Sequence, residues 1–302
     1  MKILVPATSA NVGSGFDICG VALEKPFDEM QVEIAPTSSI KNIGTHTIPE
    51  IMEQNTAWPV IEKMREDHHI SEGLEITVKK GIKPASGLGS SAATAAGAAY
   101  AINELFSLHL SRDKLVEYAA LAEKISAGTP HVDNVAPAIY GGFTTVIKKN
   151  PLKIKKINAP KDLEFIIILP EKGKASTAFA RSILPDTIPR ASAHYNLEHL
   201  SALICSFLYQ DVNSIIHSLG DEIIEPARAK AGILPHYFEL KKLAGDYSYA
   251  AVASGSGPAM AVVGSKNNEN KQKILLEIKK IFGQEKHGII ETSISNQGAR
   301  AI

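Results

Sequence analysis

Between residues 84 and 106 a glycine-rich turn, Pro84-Ala85-Ser86-Gly87-Leu88-Gly89, runs without a break into Ser90-Ser91-Ala92-Ala93 and a stretch made almost wholly of small residues. Gly87 and Gly89 permit positive φ and close backbone approach, so successive N–H groups can converge on an anion. Ser90 and Ser91 open a helix whose unpaired N–H groups and dipole favour negative charge at the same point. The alanine, glycine and threonine that follow let this helix lie very close to a sheet or to another helix, which makes it a buried one. No glycine-lysine-serine or glycine-lysine-threonine follows the turn, so it is not the common P-loop, and its extra positive charge must come from elsewhere, most simply a metal ion.

A chain of 302 residues, 44% of them hydrophobic, can fill two cores. With 32 basic and 32 acidic residues its formal charge is zero, and nothing argues for nucleic acid or an anionic membrane as a partner. Cys19 and Cys205 lie far apart among apolar neighbours, as reduced structural thiols in the cytoplasm would. Pro6 interrupts the apolar start at once, so no signal peptide is expected, and no apolar run has spanning length.

A strand over residues 2–5 is expected to stop at Pro6 and hand over to a loop of small residues at 7–17. Strands follow at 29–34 and 74–78, with a helix at 55–68 between them. After the alanine-rich helix, Ser111 can cap a helix carrying Glu123 on the edge of its apolar stripe. A short helix at 131–140 ends at Gly141-Gly142, before a strand at 143–147. The basic, proline-containing run 148–161 is the expected junction, giving an N-terminal domain over 1–160 and a C-terminal domain over 161–302. The second unit reads as β-α-β-β-α-β with extra helices in its first crossover, the order of a split β-α-β sandwich.

Three small-residue segments stand out: residues 7–17, 86–91 and 254–257. Each alone fits a tight turn; together they suggest the walls of one cleft. They resemble the three motifs of the kinase superfamily named for galactokinase, homoserine kinase, mevalonate kinase and phosphomevalonate kinase, nearest its homoserine kinase branch. The resemblance rests on Pro6-Ala7-Thr8-Ser9-Ala10-Asn11-Val12-Gly13-Ser14-Gly15-Phe16-Asp17, on Pro84 to Ala93, on His131-Val132-Asp133-Asn134-Val135-Ala136-Pro137-Ala138 and on Ser254-Gly255-Ser256-Gly257-Pro258. Val12 and Ser14 depart from the leucine and proline common in relatives.

The resemblance implies an α+β fold of two domains, with a left-handed β-α-β unit in the first, a ferredoxin-like second domain and the active cleft between them. It implies transfer of the γ-phosphoryl group of ATP to the hydroxyl of L-homoserine, with magnesium held by Ser91 and Glu123, and a homodimer. Positioning, charge shielding and a bridging metal with hard oxygen ligands are what such chemistry needs. Arg181 and Arg228 match positions that take the substrate carboxylate, where a bidentate fork suits the task. Asp17 would take the ammonium or hydroxyl end, with Asn11 and His131 nearby and Ser256 adding a hydroxyl. Asp133 falls near the aspartate that serves mevalonate-type relatives as base. A loose transition state also lets Asn134 or Asp17 simply orient the hydroxyl, and positioning is the favoured reading. Asn55 and Trp58 are the expected adenine contacts.

Without the resemblance, Glu123 reads as a solvated helix residue and each arginine as a surface ion pair. A dinucleotide fingerprint, Gly87-Leu88-Gly89-Ser90-Ser91-Ala92, fails on context, because a spacer precedes it and a helix, not a strand, follows the next turn. A non-catalytic nucleotide-binding regulator would be expected to lose its metal and substrate groups. Mevalonate or a sugar is the alternative acceptor within the enzyme class.

Overall fold

The computed structural model of the chain describes residues 1–127, 132–171 and 176–302, side chains excepted at 123–127. Its first half comprises β1 (Lys2–Ala10), β2 (Cys19–Ala35), β3 (Ser39–Asn42), α1 (Trp58–His68), β4 (Gly73–Lys79), α2 (Ser90–Leu105), α3 (Arg112–Ala127), α4 (Val135–Tyr140), β5 (Phe143–Lys149) and β6 (Leu152–Ile157). The second half comprises β7 (Leu163–Pro170), α5 (Thr177–Ser182), α6 (Arg190–Tyr209), α7 (Val212–Ser218), α8 (Ile224–Lys230), α9 (Tyr237–Asp246), β8 (Ala250–Ala253), β9 (Met260–Ser265), α10 (Lys271–Phe282), β10 (His287–Thr292) and β11 (Arg300–Ala301).

Among the described residues the strands form two sheets. The larger has the order β11-β1-β2-β4-β3, with β5 joining β2 near Cys19 and β6 pairing with β5. The parallel pair β3 and β4 brackets α1 as a β-α-β unit. The smaller sheet runs β10-β7-β9-β8, all antiparallel. In chain order that is fourth, first, third, second, the split β-α-β arrangement, with α5 to α9 in the first crossover and α10 in the second. The chain passes between sheets after Ile157 and returns at its end, where β11 pairs with β1.

Three local expectations need correction. β1 does not end at Pro6: it continues to Ala10, and a register shift between Pro6 and Ala7 absorbs the missing N–H. The run 148–161 contains β6, whose buried Leu152 and Ile154 alternate with exposed Lys153 and Lys155. Helix α8, carrying Arg228, was not expected; Asp221 starts it by accepting the N–H groups of Ile223, Ile224 and Glu225.

The small residues of α2 do what their size predicts. Ala95, Ala96, Ala98 and Ala99 are fully buried, and a Cβ on Gly97 would lie 2.2 Å from Met30 Sδ of β2. A side chain there would have to displace the end of Met30, so the glycine lets the helix sit close against β1 and β2. Beneath the first turn of α2, Lys80, 1% exposed, forms an ion pair with Asp28 at 2.5 Å and donates to the Ser90 carbonyl at 2.8 Å and to Thr94 Oγ1 at 3.0 Å. Removing one partner of a buried pair like this costs about 3–5 kcal/mol. Its positive charge is thus spent inside the protein, not on a ligand.

Both faces of β7 are buried, which explains its apolar run; Glu164, the one charged residue in it, is buried and accepts from Tyr249 Oη and Lys271 Nζ. Phe165 and Ile167 join the core beneath the large sheet, while Ile166 and Ile168 pack with Tyr237 and Leu240 of α9 and Ile274 and Ile278 of α10. Of the cysteines, Cys19 is buried and its thiol is pushed up to about 12 by that burial, but Cys205 is exposed on α6. No helix among the described residues is long and apolar enough to cross a membrane.

Candidate active site

The three small-residue loops meet at one cleft. Asn11 and Ser254 form an antiparallel bridge, the Gly255 N–H donates to the Ala10 carbonyl at 3.1 Å, and Asn11 Nδ2 donates to the Gly255 carbonyl at 2.7 Å. The glycine-rich turn is tied to the same loop: Ser254 Oγ donates to the Gly87 carbonyl at 3.0 Å and the Ala259 N–H to the Ser86 carbonyl at 3.1 Å. On its other side the Thr8 N–H donates to the Leu88 carbonyl at 3.1 Å. Each loop therefore holds the next, and none of the three has to be rigid alone.

This knitting leaves no room for side chains at the turn. A Cβ on Gly87, at φ +93°, would stand 2.4 Å from the Ser254 carbonyl oxygen, and one on Gly89, at φ +63°, would stand on Thr8 Oγ1. Gly89 occupies the cap position of α2, whose first turn carries no acidic residue. The N–H groups of that turn have no carbonyl one turn earlier and point where Ser90, Ser91 and Ala92 line the cleft. The two serines divide the work. Ser90 is buried and donates to the Ile82 carbonyl at 3.2 Å, whereas Ser91 is exposed in the cleft. Pro84 is half-buried beside the turn, Ala85 and Ser86 line the cleft, and Leu88 and Ala93 are buried behind it.

Across the cleft stand the charged groups. Arg181, in the last turn of α5, forms an ion pair with Asp17 at 2.5 Å. Arg228 of α8 is only 2% exposed, and donates to the Gly255 carbonyl at 3.0 Å and to the Ala180 carbonyl at 3.4 Å. Burial, then the nearby Arg181 guanidinium, pushes Arg228 below the ordinary arginine range. A guanidinium still keeps its charge under such pressure, so the site holds two cations close together and rewards an anion. Glu225, one turn before Arg228, accepts the Ala253 N–H at 2.7 Å and so braces the strand leading into the third loop.

Asp133 and Asn134 line the cleft at the start of α4. Asn134 Oδ1 accepts from Thr8 Oγ1 at 2.8 Å, which turns its amide nitrogen the other way. Ser256 is a further lining residue, as are Phe16 and Thr177. Asn55 does not line the cleft: it is buried, its Oδ1 accepting the Ala57 N–H at 3.0 Å and its Nδ2 donating to the Pro49 carbonyl at 2.7 Å, so it organises the entry to α1. Trp58 is partly buried against the core. His131 and the side chain of Glu123 lie outside the described residues. Among the described residues no group of three or more histidine, cysteine or carboxylate side chains could hold a metal ion.

Residues 55–142 match the family of GHMP kinases, N terminal domain. A homoserine kinase of Methanococcus vannielii is 40% identical over 287 residues, covering 93% of this chain and 91% of the relative. The chain belongs to the homoserine kinase family. The crystal structure of homoserine kinase from Cytophaga hutchinsonii superimposes with a TM-score of 0.89 at 33% identity, over 100% of this chain and 97% of that one. Mevalonate kinase of Methanococcus jannaschii, 18% identical, shares the fold with a TM-score of 0.72 over 97% and 98% of the two chains. Membership in the homoserine kinase family accounts for the two-sheet α+β architecture. Of the residues that reading the sequence did not single out, Phe16 and Thr177 line the cleft directly, whereas Thr8, Lys80 and Glu225 act on it through other side chains or backbone; Thr8 and Phe16 fall within segment 7–17, but nothing in their spacing marks them there.

Proposed function

We infer that this chain transfers the γ-phosphoryl group of ATP to the side-chain hydroxyl of L-homoserine, giving O-phospho-L-homoserine and ADP on the route to threonine. One observation carries the reading: an anion-cradling turn at the start of α2 faces two arginines across the same cleft. The turn's N–H groups and the α2 dipole suit the nucleotide phosphates. Arg181 and Arg228 suit the carboxylate of an amino acid, and the Asp17 carboxylate suits its ammonium group or orients its hydroxyl.

The residues that would hold magnesium are Ser91, whose hydroxyl is a hard oxygen donor in the cleft, and Glu123 on α3. Bound there, the ion would neutralise phosphate charge at a turn that carries no lysine of its own, Lys80 beneath it being paired with Asp28. Asn134, fixed by Thr8, presents an amide N–H to a phosphoryl oxygen or to the hydroxyl being phosphorylated. Phosphoryl transfer with a loose transition state is served by such orientation, so we assign Asn134 and Asp17 to positioning, with Asp133 beside them as the candidate acceptor of the proton. We read the enzyme as a cytoplasmic homodimer.

ADP release with magnesium ATP, measured over homoserine, mevalonate, galactose and shikimate, separates the acceptor classes. Homoserine alone should support turnover, at least about 100-fold above the others, because galactose brings no carboxylate to the arginines and mevalonate and shikimate bring one without an ammonium group for Asp17. Turnover of galactose equal to that of homoserine would reverse the acceptor assignment.

A further inference from the structure

One aromatic ring serves both arginines. The Phe16 ring centroid lies 5.1 Å from the guanidinium carbon of Arg181 and 5.4 Å from that of Arg228, and Phe16 itself lines the cleft. Its neighbour Asp17 holds Arg181, and the Gly255 carbonyl holds Arg228. The two guanidinium groups face a problem that the ring addresses. They are close enough for one to disfavour the charge on the other, and Arg228 sits almost wholly out of water. A ring's negative face attracts a cation within about 6 Å, more strongly where water is excluded. A planar guanidinium also stacks, so the ring fixes where each fork points.

We propose that Phe16 is the specificity-determining positioning residue of the acceptor site: it sets the spacing of the Arg181 and Arg228 guanidinium groups and thereby selects acceptors bearing a carboxylate next to the ammonium carbon. The proposal rests on the homoserine reading given above. It requires the ring's face, not merely its bulk, so tyrosine should replace it and aliphatic side chains should not. It also locates the effect at the acceptor end, where both guanidinium groups stand over the ring.

Steady-state kinetics of the full-length protein, wild type against Phe16→Leu, Phe16→Met and Phe16→Tyr, test this with L-homoserine and with L-homoserinamide, whose carboxylate is replaced by an uncharged amide. For homoserine, Phe16→Leu and Phe16→Met should raise KM about tenfold while kcat and the KM for ATP stay within about twofold, and Phe16→Tyr should stay near wild type. For the amide, all four proteins should perform alike, because the carboxylate that reads the arginine spacing is gone. The proposal is overturned if both aliphatic variants keep the wild-type homoserine KM, if they weaken the amide as much as the acid, or if they raise the KM for ATP equally. If one aliphatic variant fails to fold, the other gives the same acid-to-amide comparison; if both fail, Phe16 is a folding residue and the proposal falls. Absence of homoserine turnover in the wild type would instead refute the activity itself.

Discussion

Gly87→Ala is expected to lower kcat/KM for ATP on the order of 100-fold or more, and to lower the acceptor efficiency with it. The new Cβ would stand 2.4 Å from the Ser254 carbonyl oxygen and 3.0 Å from that of Gly257, and both are backbone atoms that cannot rotate aside. The φ of +93° adds strain of about 1–3 kcal/mol for any residue with a side chain. Relief requires the turn and the third loop to part. That breaks the Ser254 to Gly87 hydrogen bond and shifts Gly255, whose carbonyl orients both Asn11 and Arg228. One methyl group thus disturbs the nucleotide cradle directly and the acceptor site through the loop. Binding of a fluorescent ATP analogue, with a thermal melt as control, reads the first effect. A melt lowered by only a few degrees beside lost nucleotide binding is the expected pattern. Wild-type binding would mean that the loops do not hold one another in the way their hydrogen bonds indicate.

Arg228→Ala should raise the KM for homoserine about 100-fold to 1,000-fold and leave the KM for ATP nearly unchanged. Hydrogen bonds to charged groups contribute about 1.5–3 kcal/mol each, and a bidentate pair with a carboxylate supplies two. The substitution also removes the Arg228 donor from the Ala180 carbonyl and leaves the Gly255 carbonyl with Asn11 alone, so a loss of stability of about 1–3 kcal/mol accompanies it. Arg228→Lys separates charge from geometry. A lysine restores the positive charge but not the planar fork that reaches both carbonyls and a ligand, so it should recover little of the affinity. Kinetics for both substrates, with urea denaturation of each variant, check the split. Equal rises in the KM for homoserine and for ATP would move Arg228 from acceptor recognition to general support of the cleft.

How much of this was legible beforehand depended on whether a residue's role was local. The turn and helix at 84–106 could be read because glycine at positive φ and a small-residue helix are demands on the chain itself, and the turn and α2 fulfil both. The split β-α-β order of the second sheet could be read from strand and helix succession. Where β1 would end could not, because Pro6 reads as a stop and only the register shift against β2 makes it tolerable. Strand β6 was hidden by its lysines, which sit on the exposed face of a hairpin with β5. At the site, Asp17 and Asn134 belong to segments that resemble a known pattern, Arg181 and Arg228 match single positions of it, and all four line one cleft. Thr8 was invisible because its partner Asn134 lies 126 positions away, and Lys80 because its pairing with Asp28 spans 52. Asn55 shows the reverse limit: an asparagine before a helix suits a ligand or a turn equally in sequence, and here both ends of its amide are committed to backbone.

The central claim is that this cleft joins ATP to an amino-acid hydroxyl. Phosphorus NMR of the protein incubated with magnesium ATP and L-homoserine tests it most directly, because it reports the product bond and not merely nucleotide loss. The account predicts a phosphomonoester resonance split by the two protons of the homoserine γ-carbon, growing in step with ADP and absent when homoserine is omitted. Release of ADP with inorganic phosphate alone, or a phosphomonoester formed from a sugar but not from homoserine, would contradict it.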